Sequence, residues 1–107
     1  MPSDHVIVVT TTDSEQAAHE LATGAVERRL GACAQLVGPI TSVYRWDGAV
    51  TTDTEWRVEV KTAADRADAL VADLTERHTY DVPEVVVVAI TGGHADYLSW
   101  LRSETRV

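Results

Sequence analysis

Four consecutive valines, Val85 to Val88, run on through Ala89 to Ile90, directly after Pro83 and Glu84. A strand with one wet face alternates apolar and polar residues, so this unbroken run suits a strand covered on both faces. A 107-residue chain has few ways to cover one strand twice. It needs helices on one side and either another element or a second copy of itself on the other. Val6 to Val9, inside HVIVVTTT, repeat the pattern near the start of the chain and read as a first strand.

The segments between these runs give the architecture. Asp13 is placed to cap a helix, with Gln16 completing a capping box three residues on. That helix sets Ala18, Leu21, Ala22, Ala25, Val26 and Leu30 on one stripe, with Arg28 and Arg29 in the last turn and Gly31 as the stop. Residues 33–46 read as a long strand interrupted at Gly38-Pro39, which predicts an edge position or a bulge, because proline cannot donate to a central ladder. Asp47-Gly48 is a two-residue hairpin turn. In the returning strand Trp56, Val58 and Val60 alternate with Glu55, Arg57, Glu59 and Lys61. Thr62 is placed to cap a second helix with Ala67, Leu70, Val71, Leu74 and His78 at helical spacing. After the valine strand, Gly92-Gly93 precedes a short helix bearing Tyr97, Leu98, Trp100 and Leu101.

The order β-α-β-β-α-β plus a C-terminal helix predicts an α+β fold. It is a ferredoxin-like sandwich with an antiparallel sheet, formed as a single domain over 1–107. The two-sided apolar strands favour a homo-oligomer.

Charge narrows the partners. Seventeen acidic residues against nine Lys and Arg give a net charge of −8, which argues against nucleic acid and anionic membrane surfaces. No stretch approaches the ~20 apolar residues of a membrane span, and Cys33 alone cannot form an intrachain disulfide. No signal peptide is read at MPSDHVIVV, so the expected location is cytoplasmic. No nucleophile–base pair, P-loop or paired-ligand motif is present, so no enzyme is expected.

His78 carries the most chemical interest. It can close the second helix by bonding a free carbonyl, or act as a metal ligand or proton carrier beside Tyr80 and Glu84. Met1, His5, His19 and His94 show no ligand spacing with it. Cys33 reads as a small buried hydrophobe, with a soft metal ligand or a reactive thiolate as the alternative. Tyr44, Trp46, Trp56 and Trp100 suit packing or an interface; alternatively, aromatics around the hairpin line a pocket, with Lys61 as its cation for an anionic ligand.

The stretches ERRLGACAQLVGPITSVYRWDG (27–48), EVKT (59–62), ERHTYDVPEVVVVAIT (76–91) and DYLSWL (96–101) together resemble the CutA family of divalent-cation tolerance proteins. The resemblance implies a homotrimer with PII-like architecture, joined by strand pairing between subunits, and a link to copper and other divalent metals. It implies no enzymatic activity. It also implies a ligand cleft between subunits formed by Tyr44, Trp46, Lys61, His78, Tyr80 and Glu84, holding a small molecule or metal. For Cu²⁺ or another divalent cation it implies His78 as the ligand. The family's strand-one cysteine and first helix-two histidine correspond to Thr10 and Arg77 in this chain.

Overall fold

A computed structural model describes residues 3–106; Met1, weighed above as a ligand, lies outside them, as do Pro2 and Val107. The elements follow as β1 (His5–Thr12), α1 (Glu15–Glu27), β2 (Cys33–Trp46), β3 (Ala49–Ala63), a short 3₁₀ turn (Ala64–Arg66), α2 (Ala67–Arg77), β4 (Val85–Ile90) and α3 (Ala95–Glu104). The four strands form one antiparallel sheet in the order β2-β3-β1-β4. This is the ferredoxin-like α+β topology expected from the sequence.

Strand parity determines which face each helix covers. Val6 and Val8 of β1 and Val58 and Val60 of β3 point to one face, where they are buried with Ala18, Leu21, Ala22 and Ala25 of α1 and Leu70 and Leu74 of α2. The opposite face carries Cys33, which pairs with Lys61. The Tyr97 phenol of α3 lies against the Cys33 thiol, so the C-terminal helix covers part of that second face. Leu101 of α3 is fully buried, while Tyr97 and Trp100 remain partly exposed. Two solvent-exposed ion pairs lie at this end, Arg29 with Glu104 and Arg106 with Asp65.

The local signals hold with shifts. The α1 cap is Ser14 rather than Asp13: its Oγ accepts from the Ala17 amide at 3.0 Å, the bond that a cap makes to the third helical residue. Gln16 instead donates to Glu20. At the other end the left-handed residue is Arg29, at φ 57°. The Arg29 amide donates to the Val26 carbonyl and the Leu30 amide to the Ala25 carbonyl, closing a Schellman motif. Gly31 is therefore not the stop. Its lack of a side chain matters for packing, because a Cβ there would lie 2.2 Å from Val60 Cγ1. Val26, expected in the buried stripe, is 39% exposed.

Asp47 and Gly48 both have positive φ, as a type I′ hairpin turn requires. The β2–β3 register shifts between Val37 and Ile40, so Gly38-Pro39 forms the expected irregularity, and β2 is an edge strand. Thr62 caps nothing. It is fully buried inside β3, and α2 starts after the 3₁₀ turn without a side-chain cap.

The valine strand departs most from expectation. β4 lies at the sheet edge with β1 as its neighbour, and Val86, Val87 and Val88 are 46%, 48% and 47% exposed. The two-sided cover implied by its composition is not supplied by the described residues of the chain. Nor is cover supplied for the far half of the β2–β3 hairpin, where Val43, Trp46 and Val50 are each more than three-fifths exposed.

Candidate functional site

Where α2 ends, the chain turns sharply. His78 leaves helical geometry at φ −70°, ψ 148°, and its ring is held at both nitrogens. Nδ1 accepts from the Tyr80 amide at 3.0 Å, which assigns the proton to Nε2, and Nε2 donates to the Thr11 carbonyl at 2.8 Å. The His78 and Tyr80 rings pack with centroids 4.8 Å apart. Tyr80 in turn donates its hydroxyl to Glu55 Oε2 at 2.9 Å. Burial, then the bond to Glu55, then the charges of Glu55 and Asp13 push the Tyr80 phenol well above its ordinary pKa.

This arm and the turn-side half of the β2–β3 hairpin border a cleft of about 780 Å³. Tyr44, Trp46, Tyr80 and Glu84 line it, together with Glu55 and Asp81. Tyr44 donates to Asp53, and that bond, ahead of burial and the Asp53 and Glu55 charges, raises its pKa. Both tyrosine hydroxyls are thus committed to carboxylates. No Lys, Arg or His is among the lining residues.

Within this chain, four of the six residues expected in the cleft between subunits are brought together, and two are not. His78 stands behind the wall and fixes Tyr80. Lys61 lies on the same sheet face as Glu55 but six residues along β3, roughly 20 Å at ~3.4 Å per residue, and its Nζ donates to Gln35 at 2.7 Å. Trp56 packs against the core. Sequence reasoning missed Glu55, which sits at a nominally outward position of an alternating strand yet is only 8% exposed. Its one usable signal is an acidic residue beside the strand's tryptophan.

The positions implied for copper do not form a ligand set within this chain. Thr10 is fully buried, and its hydroxyl has no hydrogen-bond partner among the described residues. Arg77 is a donor only, engaged with Asp73 and with the Glu20 and Leu21 carbonyls. His78 has no lone pair free. Among the described residues, no three His, Cys, Asp or Glu side chains converge as a metal-holding group.

Fold and cleft together define a ferredoxin-like α+β protein with an acidic, aromatic-walled pocket beside an unpaired strand edge. The family model of the CutA1 divalent ion tolerance protein matches residues 6–104, and the chain belongs to that family. It is 40% identical over 101 residues to the chloroplastic protein CutA 1 of rice, spanning 94% of this chain and 57% of that protein, so it covers little more than half of that relative. Against the divalent-cation tolerance protein CutA of Thermus thermophilus, identity is 40% over 99 residues, 92% of this chain and 96% of the relative. The crystal structure of CutA from Xylella fastidiosa superposes with a TM-score of 0.94 at 30% identity, covering 97% of this chain and 100% of that one.

These relatives overturn the expected cytoplasmic location. The rice protein is named chloroplastic. An Archaeoglobus fulgidus CutA structure, with a TM-score of 0.91 at 25% identity over 95% of this chain and 99% of its own, is described as periplasmic. The family occupies several compartments, and the residues that build this fold do not encode which one. Among the described residues no helix is long and apolar enough to cross a membrane.

Proposed function

We propose that this protein acts in divalent-cation tolerance, the role for which its relatives are named, as a non-enzymatic homotrimer whose residues 1–107 work as one domain. The trimer reading is supported by two different bare edges, β2 and the half-exposed valines of β4. Unlike edges joined head to tail close into a ring when the rotation between copies closes, and a trimer is the proposed closure. The cleft of Tyr44, Trp46, Tyr80, Glu84 and Glu55 is the binding site, and His78 positions its wall rather than ligating metal.

The carrying observation is Glu55, a carboxylate 8% exposed with no basic partner among the described residues. Buried charges are ordinarily paired, so this cleft selects for positive charge. That selection, with the net charge of −8, supports a site for cations and a protein without nucleic-acid partners. Oxygen donors alone suit hard divalent cations such as Mg²⁺, Ca²⁺ and Mn²⁺ better than copper.

Native mass spectrometry and fluorescence titration of Trp46, against a Trp46→Phe control, test this reading. The expected result is a trimer whose Trp46 signal responds saturably to cations and loses the response in Glu84→Gln. A monomer would defeat the assembly, and an unchanged response in Glu84→Gln would defeat the site.

A further inference from the structure

The cleft combines features that a simple metal site does not need. Its aromatic residues, Tyr44, Trp46 and Tyr80, line the same space as Glu55, Asp81 and Glu84. Among the described residues the three carboxylates do not converge as a three-ligand set for one ion. At about 780 Å³ the space is far larger than a dehydrated ion needs and falls within the range of small-molecule sites. Aromatic faces attract diffuse organic cations through the ring quadrupole, and both phenol hydroxyls are already donated to carboxylates, Tyr44 to Asp53 and Tyr80 to Glu55. Glu55 supplies the polar anchor: Oε2 takes the Tyr80 hydroxyl, while Oε1 accepts no hydrogen bond among the described residues.

Resting on the reading that this cleft binds cations, we infer that its ligand is an organic amine, a primary alkylammonium held between the aromatic walls with its N–H groups directed to Glu55. A primary ammonium brings three donors and a positive charge to a carboxylate that lacks a cation. Its alkyl chain lies along Trp46 and Tyr44, where a hydrated metal ion would leave apolar surface against water. Glu84 and Asp81, both exposed at the mouth, suit a second ammonium, so diamines bind more tightly than monoamines.

Calorimetry on the intact chain tests this with 1,4-diaminobutane, butylamine, tetramethylammonium, Mg²⁺ and Cu²⁺. Diaminobutane is expected to bind most tightly and tetramethylammonium, which lacks donors, at least about tenfold more weakly. Glu55→Gln keeps the side-chain size and an acceptor for Tyr80 and should weaken the diamine about tenfold or more. Tyr44→Phe, which keeps the ring face, should stay within about threefold of wild type, whereas Tyr44→Ala should not. Circular dichroism and native mass confirm that each variant is folded and assembled. Absent amine binding, or equal affinity in Glu55→Gln, overturns the inference. If divalent ions bind through Glu84 and amines do not, the inference falls while the cation-site reading stands. If neither class binds, both fall. If amines bind only after Arg45→Gln or Lys61→Gln, a neighbouring copy's base is the natural partner of Glu55 and the inference is overturned.

Discussion

Replacing His78 by alanine separates a positioning residue from a metal ligand. The ring makes two hydrogen bonds, to the Thr11 carbonyl at 2.8 Å and from the Tyr80 amide at 3.0 Å, and packs on the Tyr80 ring at 4.8 Å. Each bond contributes about 0.5–1.5 kcal/mol, and an aromatic pair adds about 0.5–1.5 kcal/mol. Thr11 is buried and Tyr80 half-buried, so the groups left behind are only partly rehydrated. The expected loss is about 2–4 kcal/mol. Urea unfolding at one fixed protein concentration, with a chelator present, measures it; fixed concentration matters because an oligomer's stability depends on it. His78→Asn should recover part of the loss by bonding one of the two groups. A change below about 0.5 kcal/mol without metal, the size of an ordinary surface effect, would refute the reasoning and return His78 to the role of a free ligand.

Other consequences are as direct. Arg29→Gly should stabilise the chain by up to about 1 kcal/mol, since a left-handed residue other than glycine costs ~1–2 kcal/mol and the exposed pair with Glu104 contributes little; a loss in urea midpoint would contradict this. Leu74→Ala, at a fully buried core position, should cost about 3 kcal/mol in the same assay. The Arg106 hydrogen bonds hold Asp65 down from 3.8 to about 2, so their contribution is present above the ordinary value and is lost as pH falls through about 2. The stability gap between wild type and Asp65→Asn should therefore close over that acid window, and a constant gap would exclude the pair as its source. Tyr80 shifts the opposite way. Its raised pKa favours the neutral folded form, so stability should fall as pH rises past the ordinary tyrosine range, and Tyr80→Phe should flatten that fall in alkaline unfolding curves.

How much of this was legible depends on how far each signal reaches along the chain. Asp47-Gly48 and Gly38-Pro39 act within a few residues, and both the turn and the irregularity fall where the sequence places them. The α1 cap slipped by one residue because Asp13 and Ser14 are both good caps, and only the path of the backbone decides between them. Gly31 looked like a helix stop, yet its constraint comes from Val60, across the sheet. Glu55 was invisible for the same reason: its burial depends on a tyrosine twenty-five residues away. Lys61 is a different case. Lying in family stretches with Tyr44 and Glu84 does not say whether residues meet within one chain or between two.

The end of α2 shows how a chain can keep a family fold while reassigning a position. Where the resemblance implies a histidine, Arg77 spans the two helices: its guanidinium bonds Asp73 one turn back and the Glu20 and Leu21 carbonyls of α1. Gly24 of α1 makes room, since a Cβ there would come within 2.6 Å of an Arg77 nitrogen. The residue that would have offered a lone pair is replaced by one that offers only donors, and the neighbouring histidine uses both nitrogens on the backbone. What this joint fixes is the start of the loop that carries Tyr80 to Glu55. A helix end whose donors and acceptors are spent on the backbone leaves the proposed site to the cleft beyond it, where Glu55 has no basic partner among the described residues.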